Sequence, residues 1–259
     1  MTTVTTPANF TELGLITPLL ARLAELEYKQ PTPIQAQAIP SVLAGRDLIA
    51  GANTGSGKTA TFALPMLQQI RAEKPVSGKG TKGNYVAGLI LVPTRELAKQ
   101  VADSIKSYAV HFNGDIKTVA VFGGVSVNTQ MLNLRGGTDI LVATPGRLLD
   151  LISSNAIKLD KVKTLVLDEA DRMLSLGFTE ELTSLLALTP KQKQTLLFSA
   201  TFPEQVQTLT QELLNKPVEI QLQSADASTL VQRVFTVNKG EKTAVLAHLI
   251  QQEQWRQAL

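Results

Sequence analysis

The stretch Ala52–Thr59, which reads Ala-Asn-Thr-Gly-Ser-Gly-Lys-Thr, constrains this chain more than any other feature. A short apolar run at 47–50 precedes it, and the residues 60–64, which can open a helix, follow it. Gly55 and Gly57 allow the backbone to turn its N–H groups inward, because no Cβ obstructs them. A glycine-bearing loop between a strand and a helix is typical of a phosphate site, and the helix dipole adds positive potential there.

The last two residues of this loop have side chains suited to a nucleoside triphosphate. A lysine such as Lys58 reaches the β- and γ-phosphates, and the hydroxyl of a threonine such as Thr59 can ligate Mg²⁺. A chance match in a turn is the alternative, but the strand before and the helix after the loop disfavour it. We therefore predict that the whole loop binds the nucleotide: Ala52, Asn53, Thr54, Gly55, Ser56, Gly57, Lys58 and Thr59.

Composition sets broad limits on the class of protein. The chain has 259 residues, of which 44% are hydrophobic and 18% charged, so it can bury a substantial core. The absence of cysteine excludes a disulfide framework and a thiolate metal site. A net charge of +3 permits nucleic acid as a partner without requiring it. No stretch approaches the ~20 apolar residues of a membrane helix, and we expect a cytoplasmic protein without membrane association.

Buried strands and amphipathic helices alternate along most of the chain. Strands are predicted at 47–50, 86–92, 117–122, 139–143, 164–167 and 195–198. Helices are predicted at 15–26, with Thr17 as the N-cap, from 34 to near 45, from the phosphate loop to about 71, and at 94–112, 145–154, 169–176 and 203–214. This alternation predicts an α/β fold, a parallel sheet with helices on both faces. Such sheets bind ligands at the carboxyl ends of their strands.

The alternation ends near 215–217 and predicts a division of the chain. Residues 223–229 are small and polar, 233–237 are typical of a strand, and 241–252 are typical of a helix. We expect the front part of a longer protein, cut just inside a second domain. The predicted parts are N-terminal helices at 1–45, a nucleotide-binding core at 46–220, a linker at 221–232 and the start of a second domain at 233–259.

Carboxylates that can hold a metal ion follow the predicted strand 164–167. Asp168 comes directly after this strand and can hold Mg²⁺, partly through water. Glu169 can orient or deprotonate an attacking water, and Asp171 is close enough to support the site by hydrogen bonding. Acidic residues also stabilise helix N-termini by ~0.3–1 kcal/mol, which is the structural alternative. The phosphate loop in the same chain favours the metal site.

Several motifs in a fixed order resemble one family. Asp168–Asp171 spell D-E-A-D, and the other motifs are Pro31–Gln35, the phosphate loop, Pro93–Ala98, Gly123-Gly124, Thr144–Arg147 and Ser199–Thr201. Together they resemble the first RecA-like domain of a DEAD-box RNA helicase, and the resemblance runs from about Phe10 to the last residue. The segments Leu134–Gly137 and Asp171–Phe178 are most similar to the bacterial RhlE-type branch.

The resemblance implies that ATP and Mg²⁺ are the ligands, with Phe10, Tyr28, Thr32 and Gln35 around the base. An amide such as that of Gln35 offers both a donor and an acceptor, which suits an adenine edge. Tyr28 would stack on the base and Phe10 would lie against it, and ordinary core packing is the alternative for both residues. The family usually has glycine where this chain has Glu27, so the turn before Tyr28 can differ.

The resemblance also implies contacts with an RNA backbone. The residues concerned are Pro93, Thr94, Arg95, Gly123, Gly124, Thr144, Pro145, Gly146 and Arg147. Their chemistry agrees, because arginines supply charge, threonines supply hydroxyls and glycines allow close approach. None of these groups forms a code for base edges, so little sequence specificity is expected. Thr94 and Thr144 are also good N-caps, and both roles are compatible because helix N-termini bind phosphates.

The expected function is that of an ATP-dependent RNA helicase. Ser199 and Thr201 would couple the nucleotide to RNA through hydrogen bonds to D-E-A-D, although strand-end capping is an alternative role for them. The implied catalytic set is Lys58, Asp168, Glu169, Ser199 and Thr201. A second RecA-like domain usually supplies arginines, so we expect this chain alone to bind nucleotide, hold RNA weakly and turn over little ATP. The alternatives are a nucleotide-gated RNA clamp and a P-loop ATPase that acts on something other than RNA.

Overall fold

The computed structural model describes residues 9–51, 55–73, 83–221 and 233–257. The chain divides into two compact units, Met1–Leu222 and Gln223–Leu259. Three predicted phosphate-loop residues, Ala52, Asn53 and Thr54, lie outside the described residues, as does almost all of the predicted linker. Among the described helices, none is both long and apolar enough to cross a membrane.

A parallel sheet forms the centre of the first unit, which confirms the predicted α/β fold. Its described strands are β1 (Leu48–Gly51), β2 (Val86–Leu91), β3 (Thr118–Val121), β4 (Thr138–Ala143), β5 (Thr164–Leu167), β6 (Gln194–Ser199) and β7 (Val218–Gln221). They lie in the order β3-β4-β2-β5-β6-β1-β7, and every neighbouring pair is parallel. The expectation that the alternation ends near Pro217 was wrong, because β7 follows directly and pairs with β1.

Helices cover both faces of this sheet. They are α1 (Thr17–Glu25), α2 (Pro33–Leu43), α3 (Lys58–Glu73), α4 (Arg95–Tyr108), α5 (Val127–Leu134), α6 (Pro145–Ser153), α7 (Ala170–Ser175), α8 (Thr179–Ala187) and α9 (Glu204–Leu213). The prediction of Thr17 as an N-cap was wrong, because Thr17 is already the first helical residue and Ile16 has the extended cap conformation. The predicted helix 94–112 ends at Tyr108, and a short 3-10 helix, Val110–Phe112, follows it.

The two faces of the sheet bury two separate apolar clusters. Residues alternate along each strand, so that Val166 of β5 packs with α1–α4, whereas Leu165 and Leu167 pack with α5–α9. Both clusters consist mainly of aliphatic side chains with almost no exposed surface. A sheet buried on both faces holds its strands rigidly, so the loops at its carboxyl edge have a fixed base.

The described residues of the second unit contain a 3-10 helix, Lys239–Glu241, and α10 (Lys242–Gln252). The prediction of a strand at 233–237 was wrong, since these residues have no regular secondary structure. A strand needs a neighbour for its backbone hydrogen bonds, and the described part of this unit provides none. Val234 is accordingly 94% exposed.

Candidate nucleotide and RNA site

The predicted site residues follow the carboxyl ends of strands that are neighbours in the sheet. The phosphate loop follows β1, Asp168 follows β5 and Ser199 ends β6, and these three strands lie side by side. We call this group the phosphate-loop half of the edge. Three other neighbouring strands form what we call the arginine half, with Pro93–Arg95 after β2, Gly123-Gly124 after β3 and Thr144–Arg147 after β4. The two halves meet between β2 and β5.

A buried ion pair lies at the centre of the phosphate-loop half. Lys58 Nζ is 3.5 Å from Asp168 Oδ1, and the two residues are 7% and 2% exposed. Burial raises the pKa of Asp168, Lys58 opposes that rise and Glu169 adds to it. A second cation beside such a buried carboxylate would stabilise its ionised form. The Asp168 carboxylate and the hydroxyl of Thr59, beside Lys58, are oxygen donors of the kind that Mg²⁺ binds.

The phosphate loop packs directly on the start of α2. Gly57 has φ +93°, and a Cβ there would lie 2.5 Å from Gln35 Nε2 and 3.0 Å from Thr32 Oγ1. Gln35 Nε2 donates to the Gly57 carbonyl at 3.2 Å, and its Oε1 accepts from the Thr32 N–H at 2.9 Å. Only glycine fits at this contact, and Gln35 fixes the loop relative to α2.

Two buried hydroxyls in the same place have no hydrogen-bond partner among the described residues. They are Thr32 Oγ1 and Ser56 Oγ. Buried polar atoms in folded proteins are almost always paired, so an unpaired one calls for an explanation. Thr32 Oγ1 lies 3.0 Å from the position of a Cβ built on Gly57, and Ser56 directly precedes Gly57 in the loop, so both hydroxyls fit a polar ligand held there.

The predicted base-stacking residues form a cluster of rings. Phe10 is 5% exposed and belongs to the apolar core, as the core-packing alternative for this residue stated. Tyr28 is 37% exposed, and its ring centroid lies 6.2 Å from that of Phe10. Tyr108 meets Tyr28 edge-on at 6.3 Å, and their hydroxyl oxygens are 3.1 Å apart. Tyr28 therefore presents the more accessible aromatic surface of the predicted pair.

The turn before Tyr28 keeps a glycine-like conformation although Glu27 occupies it. Glu27 has φ +59°, in the left-handed region. Its N–H donates to the Ala24 carbonyl at 3.0 Å, and the Tyr28 N–H donates to the Leu23 carbonyl at 2.9 Å. These two bonds form a Schellman motif, which normally uses glycine. The turn is thus retained, at a cost of about 1 kcal/mol in backbone strain.

Asp171 joins the D-E-A-D segment to Ser199–Thr201. Its Oδ2 accepts hydrogen bonds from the Thr201 N–H at 2.9 Å and the Thr201 hydroxyl at 2.7 Å. The Asp171 N–H donates to Ser199 Oγ at 3.3 Å. Burial alone would raise the pKa of Asp171, but the hydrogen bonds from Thr201 lower it below its ordinary value. The expected bonds between these two motifs are therefore present.

Glu169 occupies an unusual position between the buried strand end and α7. It is the N-cap residue of α7 and has φ +54° and ψ +51°. Its Oε2 lies 3.2 Å from Arg172 Nη1, and its N–H donates to Asp168 Oδ1 at 3.0 Å. Left-handed backbone at a non-glycine residue costs energy and is concentrated at functional sites. The strained residue here is the one predicted to orient water.

The arginine half is more open, but its two arginines differ. The Arg95 side chain is 63% exposed and pairs with Glu96, whereas the Arg147 side chain is 11% exposed. Arg147 Nη1 donates to the Val125 carbonyl at 2.8 Å, so it supports the loop after β3. Thr94 accepts from the Leu97 N–H and caps α4, as predicted, whereas Thr144 makes no side-chain cap bond.

Comparison with known proteins identifies the family. The family described as DEAD/DEAH box helicase matches residues 32–209, which is more than half of the chain. The chain belongs to the DEAD/DEAH box helicase family. The crystal structure of a hypothetical ATP-dependent RNA helicase from Sulfolobus tokodaii is 35% identical, with a TM-score of 0.70 over 79% of this chain and 56% of that chain. The RecA-like fold expected from the resemblance is thereby confirmed.

Two bacterial helicases are similar over almost the whole chain. ATP-dependent RNA helicase DeaD of Escherichia coli K12 is 40% identical over 97% of this chain and 39% of its own length. ATP-dependent RNA helicase CshA of Listeria monocytogenes is 38% identical over 93% of this chain and 45% of its own length. The chain thus spans less than half of these curated relatives. Similarity to the RhlE-type branch stays a prediction.

The structure adds two residues to this DEAD/DEAH box helicase site that the sequence reasoning had not assigned. Arg172 binds Glu169, and its i, i+3 spacing from that residue on a predicted helix was an available signal. Tyr108 bonds to Tyr28 across 80 positions of sequence, and no local pattern indicates that contact.

Proposed function

We propose that this chain is the ATP- and RNA-binding domain of an ATP-dependent RNA helicase. The observation that carries the proposal is the buried pair of Lys58 and Asp168, which joins the phosphate loop to the end of β5. The names of the relatives favour a helicase over a clamp, and family membership disfavours an ATPase that acts on something other than RNA.

ATP with Mg²⁺ is the proposed ligand of the phosphate-loop half. The loop N–H groups and Lys58 would hold the β- and γ-phosphates, and Thr59 and Asp168 would hold Mg²⁺, partly through water. The bound metal ion would neutralise part of the negative charge on the phosphates. The unpaired hydroxyls of Ser56 and Thr32 are additional polar groups for this ligand. The Gln35 amide already donates to Gly57 and accepts from the Thr32 N–H, so it would use its second N–H and the second lone pair of Oε1 on adenine.

Hydrolysis would depend on groups on both sides of a cleft. Glu169 would orient the attacking water, and a second RecA-like domain would supply arginines worth about 10³–10⁵ in rate. Ser199 and Thr201 would couple the nucleotide site to RNA through Asp171, because both residues are hydrogen-bonded to Asp171. We assign residues 1–45 and 46–220 to the first RecA-like domain, together with Gln221, which ends β7 and so moves the predicted start of the linker by one residue. Residues 222–232 would form the linker, and 233–259 would be the start of the second domain.

RNA is the proposed ligand of the arginine half. Arg95 would pair with a phosphate, and Gly123 and Gly124, both exposed, would allow close approach of the sugar–phosphate backbone. The remaining proposed contacts are Pro93, Thr94, Thr144, Pro145, Gly146 and Arg147. Because these groups read no base edges, we propose little sequence specificity. ATP and RNA occur together in the cytoplasm, and we propose that location.

Two measurements test this function. Fluorescent ADP should bind the unaltered chain and lose most of its affinity in Lys58→Ala, while Lys161→Ala, an exposed lysine over Tyr85, should behave as the unaltered chain. Unchanged affinity in Lys58→Ala would refute the assignment. In a protein that joins this chain to a second RecA-like domain, strand displacement driven by ATP would distinguish a helicase from a clamp, which would hydrolyse ATP without releasing a strand.

A further inference from the structure

Tyr108 is the last residue of α4, and nothing in the motifs assigns it a role. It is 6% exposed, and its hydroxyl lies 3.1 Å from the Tyr28 hydroxyl. The two rings meet edge-on at 90°, a favourable aromatic geometry. Tyr108 therefore contacts Tyr28, the residue proposed to stack on the base, by both its ring and its hydroxyl.

The position of Tyr108 is fixed by its surroundings. The buried face of α4, which includes Val101 and Ile105, packs against the core. At the same end of the helix, Arg22 Nε donates to the Ser107 carbonyl at 2.8 Å and ties α1 to α4. Burial, followed by the hydrogen bond to Tyr28, raises the pKa of the Tyr108 hydroxyl, so it stays protonated at neutral pH.

Tyr28 has fewer constraints of its own. It follows Glu27, whose left-handed conformation ends α1, and its side chain is more than one third exposed. Phe10 packs on it at a ring-centroid distance of 6.2 Å. The Tyr108 hydroxyl is the polar group among the described residues that binds the Tyr28 hydroxyl. The ring of an exposed tyrosine can rotate about two side-chain bonds, and a hydrogen bond from its hydroxyl restricts it to one orientation.

We propose that Tyr108 is a positioning residue for the nucleotide base, because its hydroxyl and ring hold Tyr28 at the angle at which Tyr28 stacks on adenine. This inference rests on the proposed function, since it requires that adenine lie on Tyr28. Within the proposed function, α4 would then serve both ligands: its last residue, Tyr108, acts on the nucleotide through Tyr28, and its first residue, Arg95, is a proposed RNA contact.

The test is a set of single-hydroxyl deletions that keep every ring. Tyr108→Phe should weaken ADP binding by about three- to tenfold, because Tyr28 must then be ordered when ADP binds, and the free energy of one hydrogen bond is the upper limit of this effect. Tyr28→Phe should have a similar effect, and the double variant should be no weaker than either single one, because all three lack the same bond. Tyr85→Phe, outside this cluster, is the matched control and should leave ADP affinity unchanged.

Inorganic tripolyphosphate separates positioning of the base from general damage to the fold. It has no base, so its affinity, measured by competition, should stay the same in Tyr108→Phe and Tyr28→Phe but fall in Lys58→Ala. Unchanged ADP affinity in Tyr108→Phe, or an equal loss for tripolyphosphate, would overturn the role of Tyr108. If Lys58→Ala also left both ligands bound as before, the proposed function itself would fail.

Discussion

The two halves of the sheet edge differ in how far their site is formed without a ligand. In the phosphate-loop half, Lys58 and Asp168 are buried and paired, and Asp171 is bonded to Thr201. In the arginine half, Arg95 is mostly exposed and bonds to a neighbour in sequence. Buried groups that are already in position suit a small ligand, because their charges must lie at fixed distances from the charges of that ligand. Exposed charges suit a polymer whose binding depends on counterion release.

Backbone conformation follows the same division. Gly55, Gly57 and Glu169 in the phosphate-loop half all have positive φ, and Glu169 bears this strain with a side chain. In the arginine half Gly124 has positive φ, but Gly146 does not and has no atom within 4 Å of a built Cβ. The comparison therefore predicts that the same substitution has very different effects in the two halves.

Replacing glycine by alanine should give the largest contrast. Gly57→Ala combines a left-handed φ with a contact of 2.5 Å to Gln35, so we expect at least about 100-fold weaker ADP binding. Gly146→Ala should leave ADP binding unchanged and raise stability by about 0.5 kcal/mol through helix propensity. ADP titration and thermal unfolding measure both effects, and similar losses in the two variants would remove the distinction between the halves.

The two arginines should separate direct charge from structural support. Arg95→Ala should weaken RNA binding by about tenfold, with little loss of stability. The slope of log K for RNA binding against log salt concentration should become shallower by about one. Arg147→Ala should also cost about 1–2 kcal/mol of stability, because it removes a largely buried side chain and its bond to Val125. RNA titrations at several salt concentrations, with unfolding of each variant, check this, and equal stability losses would contradict it.

Asp171 should show a smaller, pH-dependent effect. Its folded pKa is lowered, so its contribution to stability is present above its ordinary value of 3.8 and is lost as pH falls through the folded value. Asp171→Asn should cost about 1–2 kcal/mol at pH 7 through weaker bonds from Thr201. Unfolding from pH 7 to pH 3 should show the two proteins converging in acid. A constant difference would mean that ionisation of Asp171 is irrelevant.

Glu27→Gly should have a small effect, and it should raise the stability of the folded chain. Glycine adopts φ +59° without a Cβ penalty, so we expect a gain of about 0.5–1 kcal/mol. Glu27→Ala is the matched control, because it removes the same charge but keeps a Cβ, and it should give no gain. If both variants were equally stable, the left-handed turn would carry no strain.

Much of this could be predicted from the sequence because the relevant signals are local. Parallel strands buried on both faces are continuous apolar runs, and polar residues directly after them share one edge of the sheet. The phosphate loop and Asp168 were predicted in this way and lie together. The unpredicted elements α5, α8 and β7 bury few side chains and therefore have weaker local patterns. Of the four residues of β7 only Ile220 is buried, and α5 and α8 bury two side chains each.

Contacts between distant segments could not be predicted in the same way. The bonds of Tyr28 to Tyr108 and of Gln35 to Gly57 depend on how helices pack on the sheet. Burial of Arg147 is another example, since a sequence gives an arginine but not whether its charge faces solvent. The failed strand at 233–237 shows the converse, because a strand pattern without a neighbouring strand forms no ladder.

The central claim is that Lys58 and Asp168 hold one triphosphate and its magnesium ion. The most direct measurement is the affinity for a non-hydrolysable ATP analogue with Mg²⁺ and with EDTA, in the unaltered chain and in Asp168→Asn. We predict that Mg²⁺ strengthens binding at least about tenfold in the unaltered chain and has no such effect in Asp168→Asn. The same Mg²⁺ dependence in both proteins would contradict the assignment of Asp168 to the metal.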